Sequence, residues 1–187
     1  FFSGCNLHCV FCQNHKISRE RYGRELRAER LADIFRELEA KGANNINLVT
    51  PTPWVTEIIK ALELYRPQIP VLYNTSGYER VEVLRALEGL VDVWLPDYKY
   101  ADGEIAARFS GAANYPEVAR AAIREMYRQS GNLKLNAAGK AVSGVMIRHL
   151  VLPLHLKNSF AVLEDIAEAY GTEQYVSLMF QYTPFRE

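Results

Sequence analysis

Three cysteines, Cys5, Cys9 and Cys12, are the only ones among 187 residues, and all fall in the stretch Cys5-Asn6-Leu7-His8-Cys9-Val10-Phe11-Cys12. An odd number of thiols cannot pair off internally, so a disulfide framework is not what this spacing of i, i+4 and i+7 describes. Thiolates are soft donors suited to iron-sulfur clusters and zinc. A loop of eight residues is short enough to bring three of them onto one face of a metal centre. In a four-iron cluster, three protein thiolates leave one iron open to a non-protein ligand, an arrangement for chemistry more than for electron storage. Two other readings fit the same spacing. One is a closed structural zinc site completed by His8 or His15; the other is three cysteines packed as ordinary apolar side chains.

The chain that must position this loop is 49 % hydrophobic and 24 % charged, enough for one domain with a substantial core. Its 22 basic and 22 acidic side chains cancel, so no overall field favours nucleic acid or an anionic membrane. No apolar run reaches bilayer length and no secretory signal opens the sequence. The expectation is a cytoplasmic protein in a reducing compartment, which free thiols serving a cluster need. A locally basic run of Lys16, Arg19, Arg21, Arg24, Arg27 and Arg30 against Glu20, Glu25 and Glu29 is either a solvated face or a dock for an acidic electron carrier. The chain opens without methionine inside an apolar Phe1-Phe2-Ser3 of strand type. A native N-terminal segment is therefore expected to be missing from a single domain spanning residues 1–187.

Strand and helix signals then alternate. Leu31, Ile34, Phe35 and Leu38 mark a helix ending near Gly42. Asn45 to Val49 is a strand, followed by Thr52 as an N-cap with Pro53 at the first helical position. Val55, Ile58, Ile59 and Leu62 line the next helix. Pro70 to Tyr73 is a strand closed by the turn Asn74-Thr75-Ser76-Gly77. A helix through Val81, Leu84 and Leu87 and a strand from Val91 to Leu95 follow. Asp102 caps a short turn, and Ala119, Ala122, Ile123 and Met126 face one side of a helix stopped by Gly131. A small hairpin around Asn136 to Lys140 precedes a long apolar strand from Val145 to Leu152. Phe160, Leu163, Ile166 and Tyr170 form the last helix, with Ser159 as its cap, and Tyr175 to Phe180 the last strand. Six parallel-type strands with helical crossovers imply an α/β fold with a parallel sheet.

The cysteine string, with an aromatic residue before its last member, resembles the signature of the radical S-adenosylmethionine superfamily. Four further segments are similar to the branch of pyruvate formate-lyase activating enzyme homologues: Asn45 to Pro53, Leu95 to Tyr100, Ile147 to Pro153 and Ser177 to Pro184. The resemblance implies a partial, open TIM-like barrel of six strand-helix units. It also implies a [4Fe-4S] cluster on Cys5, Cys9 and Cys12 whose open iron takes the amino and carboxylate groups of S-adenosylmethionine. Reduction of the cluster would then cleave the cofactor and yield a 5'-deoxyadenosyl radical for hydrogen abstraction. The substrate would be a backbone glycine of a partner protein, with a flavodoxin or ferredoxin supplying electrons. A radical enzyme acting on a small molecule and a non-catalytic zinc module are the alternatives.

In such barrels the residues past the C-terminal strand ends converge on one mouth. The resemblance assigns to it Phe11 near the adenine, Thr50, Asn74 and Thr75, the pair Asp97 and Lys99, Arg148, and Tyr182 where the activating enzymes offer a histidine. Two departures stand out. A Gly-Gly-Glu segment that receives the cofactor's amino group is replaced by Thr50-Pro51-Thr52, and the acid of an Asp-Thr-Asn-Gly turn by Asn74. Asp97 and Lys99, two apart on an extended segment, point to the same side. Arg148 lies in an apolar strand, where an unpaired charge is costly and an anionic partner is expected. His149, on the opposite face, is expected to be packed and hydrogen-bonded.

Overall fold

The computed structural model describes residues 1–182. A short turn α1 (His15–Ser18) follows the cysteine loop, and α2 (Ala28–Ala40) buries Ala32 and Phe35 on the periodic face. Then come β1 (Ile46–Val49), α3 (Val55–Leu64), β2 (Val71–Thr75), α4 (Val81–Ala86) and β3 (Val93–Pro96). Next are α5 (Gly103–Ser110) and α6 (Tyr115–Ser130), then the strands β4 (Lys134–Leu135), β5 (Ala141–Val145) and β6 (Ile147–Leu150), and finally α7 (Leu156–Tyr170) and β7 (Val176–Met179).

One sheet has the order β1-β2-β3-β5-β4, parallel except for the antiparallel β4–β5 hairpin, and a second pairs β6 with β7 in parallel. A parallel bridge between Asp97 and Arg148 continues the fan from β3 onto β6. The result is an open α/β half-barrel whose interior is filled by Tyr73, Trp94, Tyr100, Tyr115, Met126 and Ile147, all inaccessible to solvent. Burial of that much aromatic surface is the main force holding the helices on the sheet.

The structure corrects the expected element list at four places. Phe1-Phe2-Ser3 is not a strand: one backbone bond, Phe2 N to Val49 O at 2.9 Å, ties it to β1 before Gly4, at φ +89°, turns the chain away to donate to Ile17 O. The segment Val145 to Leu152 is not one strand. It divides at Met146, because its first half pairs with β3 and its second half with β7. Thr52 does not cap a helix; it sits in a 3-10 turn and its hydroxyl turns inward. Ser159 lies inside α7, behind His155 at the cap position, and holds His149 instead. Asp102 does cap α5, accepting from the amides of Glu104 and Ile105. Thr183 and Pro184, the end of the last quoted segment, lie outside the described residues.

Candidate active site

The cysteine loop is fastened to the scaffold by its backbone. His8 N donates to Ser110 O at 3.1 Å and Val10 N to Phe109 O at 2.9 Å, so the end of α5 fixes its height. Asn6 reaches across to the β2 exit, donating to Tyr78 O at 2.5 Å and accepting from the Ser76 hydroxyl at 3.3 Å. Each thiol has a polar neighbour: Leu7 N is 3.5 Å from Cys5 Sγ, the Ser110 hydroxyl donates to Cys9 Sγ at 2.9 Å, and Cys12 Sγ lies 3.2 Å from Ser18 Oγ. Burial pushes the Cys5 and Cys9 thiols above their ordinary range, while the Lys99 ammonium works in the opposite direction on both. A cation facing two desolvated thiols favours their deprotonation when a metal is there to share the charge.

All three cysteines line one cleft of about 600 Å³ at the C-terminal ends of the strands. Phe11, Thr50, Asn74, Thr75, Asp97, Lys99 and Arg148 line the same cleft, so the exits of β1, β2 and β3 and the strand β6 all contribute. Lys99 Nζ lies 2.5 Å from Asp97 Oδ2, and Arg148 Nε 3.2 Å from Asp97 Oδ1. Arg148 also donates to Asn74 Oδ1 at 2.7 Å and lies 3.8 Å from Met179 Sδ. These ionic side chains are only 13 to 25 % exposed. Burial works against the Lys99 ammonium, but Asp97 and Cys9 outweigh it and hold its pKa above the usual lysine value. Two cations against one carboxylate leave one positive charge over in the cleft. Asp97 Oδ1, although near Arg148, has no properly directed hydrogen bond. The cluster thus has unused capacity for a ligand bearing both a carboxylate and an ammonium group.

Tyr182 is placed differently from the rest: it packs on Phe11, ring centroids 5.8 Å apart, and Phe11 rather than Tyr182 lines the cleft. His149 is buried and held at both nitrogens, by Tyr98 O at 2.7 Å and Ser159 Oγ at 2.8 Å, as a packed histidine should be. His8 and His15 do not line the cleft, and His15 Nε2 lies 3.4 Å from Glu20. Zinc needs sulfurs drawn to within about 4 Å of one another by Zn–S bonds of about 2.3 Å. Three thiols lining one cleft, with neither His8 nor His15 among its lining, are a donor set of the kind an iron-sulfur cluster takes.

Sequence reasoning missed several residues that hold this mouth together. Tyr115 is buried; its hydroxyl lies 2.8 Å from both Ser76 O and Asp97 O and accepts from Lys99 N at 3.0 Å, tying the β2 exit to the β3 exit. Gly77, at φ +78°, lies so close to the β3 exit that a Cβ there would be 2.0 Å from Asp97 O. Tyr100 and Ser110 share a hydrogen bond of 2.6 Å behind Cys9. Glu79 is 2 % exposed and accepts from the hydroxyls of Thr52, at 2.5 Å, and Thr75. Burial pushes its carboxyl up to about 7. Apart from Gly77, which stood in the expected turn, none of these carries a sequence signal beyond an isolated polar residue, because each earns its place through a contact from a distant element.

Comparison with known proteins agrees with this architecture. The model of the Radical SAM superfamily matches residues 1–134. The chain therefore belongs to the radical S-adenosylmethionine superfamily, whose members use a [4Fe-4S] cluster and S-adenosylmethionine. It is 32 % identical to an uncharacterised protein of Methanocaldococcus jannaschii over 98 % of this chain, and spans 53 % of that relative's length. Among solved structures it is similar to Streptococcus suis SuiB bound to the precursor peptide SuiA, with a TM-score of 0.66 at 14 % identity, covering 99 % of this chain and 40 % of that one. SuiB bound to S-adenosylmethionine gives a TM-score of 0.65 at 14 % identity, over 100 % of this chain and 41 % of that one. At that identity the likeness speaks to the fold alone. No described helix is long and apolar enough to cross a membrane.

Proposed function

We propose that this chain is the core domain of a radical S-adenosylmethionine enzyme that takes a hydrogen atom from a glycine in a protein or peptide backbone. The observation that carries the reading is the joining of three thiols and the Asp97, Lys99 and Arg148 ion cluster in one cleft. Cys5, Cys9 and Cys12 would hold the cluster. Lys99 and Arg148 would meet the cofactor's carboxylate, Asp97 its ammonium group, Asn74 and Thr75 its hydroxyls, and Phe11 its adenine. When bound and reduced, the cofactor pair supplies one-electron cleavage of a carbon-sulfur bond and a carbon radical that abstracts hydrogen.

The protein's part is orientation and exclusion of water. Lys99 draws charge toward Cys9, Asp97 keeps Lys99 ionised in a buried setting, and Phe11 backed by Tyr182 closes one wall. The quoted segments' similarity to the activating enzymes supports a backbone glycine as target, and the fold shared with a peptide-bound enzyme is compatible with it. Electrons would come from a flavodoxin or ferredoxin in the cytoplasm. Cys5 also lines a second cavity of about 590 Å³ with Arg21 and Arg24, which supports an approach from the basic run.

Anaerobic reconstitution with iron and sulfide, followed by dithionite and S-adenosylmethionine, tests the reading. It predicts about four irons per chain and release of 5'-deoxyadenosine; a full-length protein that binds zinc and yields no 5'-deoxyadenosine overturns it. An electron-spin signal on a partner protein marks a glycyl target, whereas a modified metabolite seen by mass spectrometry marks a small-molecule enzyme.

A further inference from the structure

Glu79 lies between β2 and α4, outside the cleft lining, and it is one of two carboxylates buried among the described residues. One oxygen, Oε1, takes the Thr52 and Thr75 hydroxyls. The other, Oε2, and the Tyr73 hydroxyl both lack a well-directed hydrogen bond, yet they face each other in one buried space, where the Tyr73 hydroxyl offsets part of the effect of burial on Glu79. The two threonines belong to different strand exits: Thr52 to the turn after β1, Thr75 to the end of β2. Both exits put residues into the cleft, Thr50 and Thr75.

Thr50 has φ +56°. That is the left-handed region, which a β-branched residue adopts only when its surroundings enforce it. Three contacts do so here. Thr50 N donates to Asn74 O at 3.0 Å, Trp54 N to Pro51 O at 2.9 Å, and Trp54 Nε1 to Ser3 O at 2.6 Å. Glu79 supplies the fourth through Thr52. A glycine would hold such a turn without help; Thr50 needs clamping.

We infer that Glu79 is a positioning residue for the S-adenosylmethionine cleft: it locks the β1 exit onto the β2 exit so that Thr50 and Thr75 present a fixed wall to the cofactor. It acts through Thr52 and Thr75 and touches no cofactor atom itself. The inference rests on the cofactor assignment proposed above.

Equilibrium binding of S-adenosylmethionine to the cluster-loaded protein, measured anaerobically by calorimetry, is the test. Glu79→Leu should weaken binding about tenfold, and Thr52→Val several-fold. The double variant should bind no worse than Glu79→Leu alone, since both remove one clamp. Glu79→Gln, whose amide oxygen accepts the same hydroxyls, should restore affinity to within about twofold of the parent. Amide hydrogen exchange across residues 50–54 should quicken in Glu79→Leu and not in Glu79→Gln.

A Glu79→Leu protein with a lower melting temperature but parental affinity overturns the inference and leaves the superfamily reading intact. If Glu79→Leu does not fold, Thr52→Val decides: unchanged affinity and exchange overturn the clamp. Failure of the parent protein to bind S-adenosylmethionine would instead count against the cofactor assignment.

Discussion

Two carboxylates are shut away from solvent in the described chain, and they are treated in opposite ways. Glu125, on α6, is covered by a shallow layer of exposed side chains. Arg128 Nη2 lies 2.8 Å from it and Arg85 Nε 3.8 Å, and Gln129 donates at 2.9 Å. The hydrogen bonds from Arg128 dominate and pull its pKa down to about 2. Glu79 has only hydroxyls, one oxygen unmatched, and a pKa raised to about 7 by burial. The scaffold satisfies its charge; behind the mouth, outside the cleft lining, Glu79 keeps one oxygen without a directed hydrogen bond, as Asp97 Oδ1 does within the cleft. A group that is fully paired contributes to stability, whereas one held half-paired is arranged for a ligand or a conformation.

Substitutions at the two places should therefore fail differently. The largest effect belongs to the mouth. Cys9→Ala should abolish the brown colour and 5'-deoxyadenosine release, a loss of more than about a hundredfold, while circular dichroism of the metal-free chain stays unchanged; retained colour would sink the three-thiol assignment.

Next comes the pH dependence of Glu79. Its carboxyl is neutral in both states below about 4.5 and ionises in the unfolded chain first. Stability is thus highest at the acid end of this window and is lost as pH rises from about 4.5 to about 7. At about 1.4 kcal/mol per pH unit, the loss is about 3 kcal/mol. Glu79→Gln should remove that slope and melt several degrees above the parent at about pH 8; parallel melting curves would mean the carboxyl is not held neutral.

Lys99→Met should weaken S-adenosylmethionine binding about tenfold, the loss of one charge-assisted bond, with the fold intact by circular dichroism; parental affinity would reassign the carboxylate contact. The smallest change in cofactor affinity is expected from Glu125→Gln, which should lower the melting temperature by a few degrees and leave binding as it was. If it altered binding more than Lys99→Met, the contrast between scaffold and mouth would not hold.

Much of this was legible in the residues. Apolar periodicity located the helices, and the spacing of Cys5, Cys9 and Cys12 marked them as candidate metal ligands, which the structure brings to one cleft. Arg148 could be named because a charged side chain in an apolar strand needs a reason to be there, and Asp97 and Lys99 because a family resemblance picked them out and their spacing of two put them on one side. What escaped was whatever depends on pairing between distant segments. Val145 to Leu152 is apolar apart from Arg148 and His149 and carries no turn signal, so nothing in it shows that one part answers to β3 and the other to β7. Thr52 carries every local mark of an N-cap, yet a carboxylate 27 residues later claims its hydroxyl. Ser159 was taken from its helix end by His149 in the same way. Glu79 and Tyr115 gave no sign because neither forms a local motif.

Gly77 holds a consequence for anyone who would reshape this mouth. With no room beside it for even a methyl group, the exits of β2 and β3 stand in direct backbone contact, and adding a single carbon at this position would force the two walls apart.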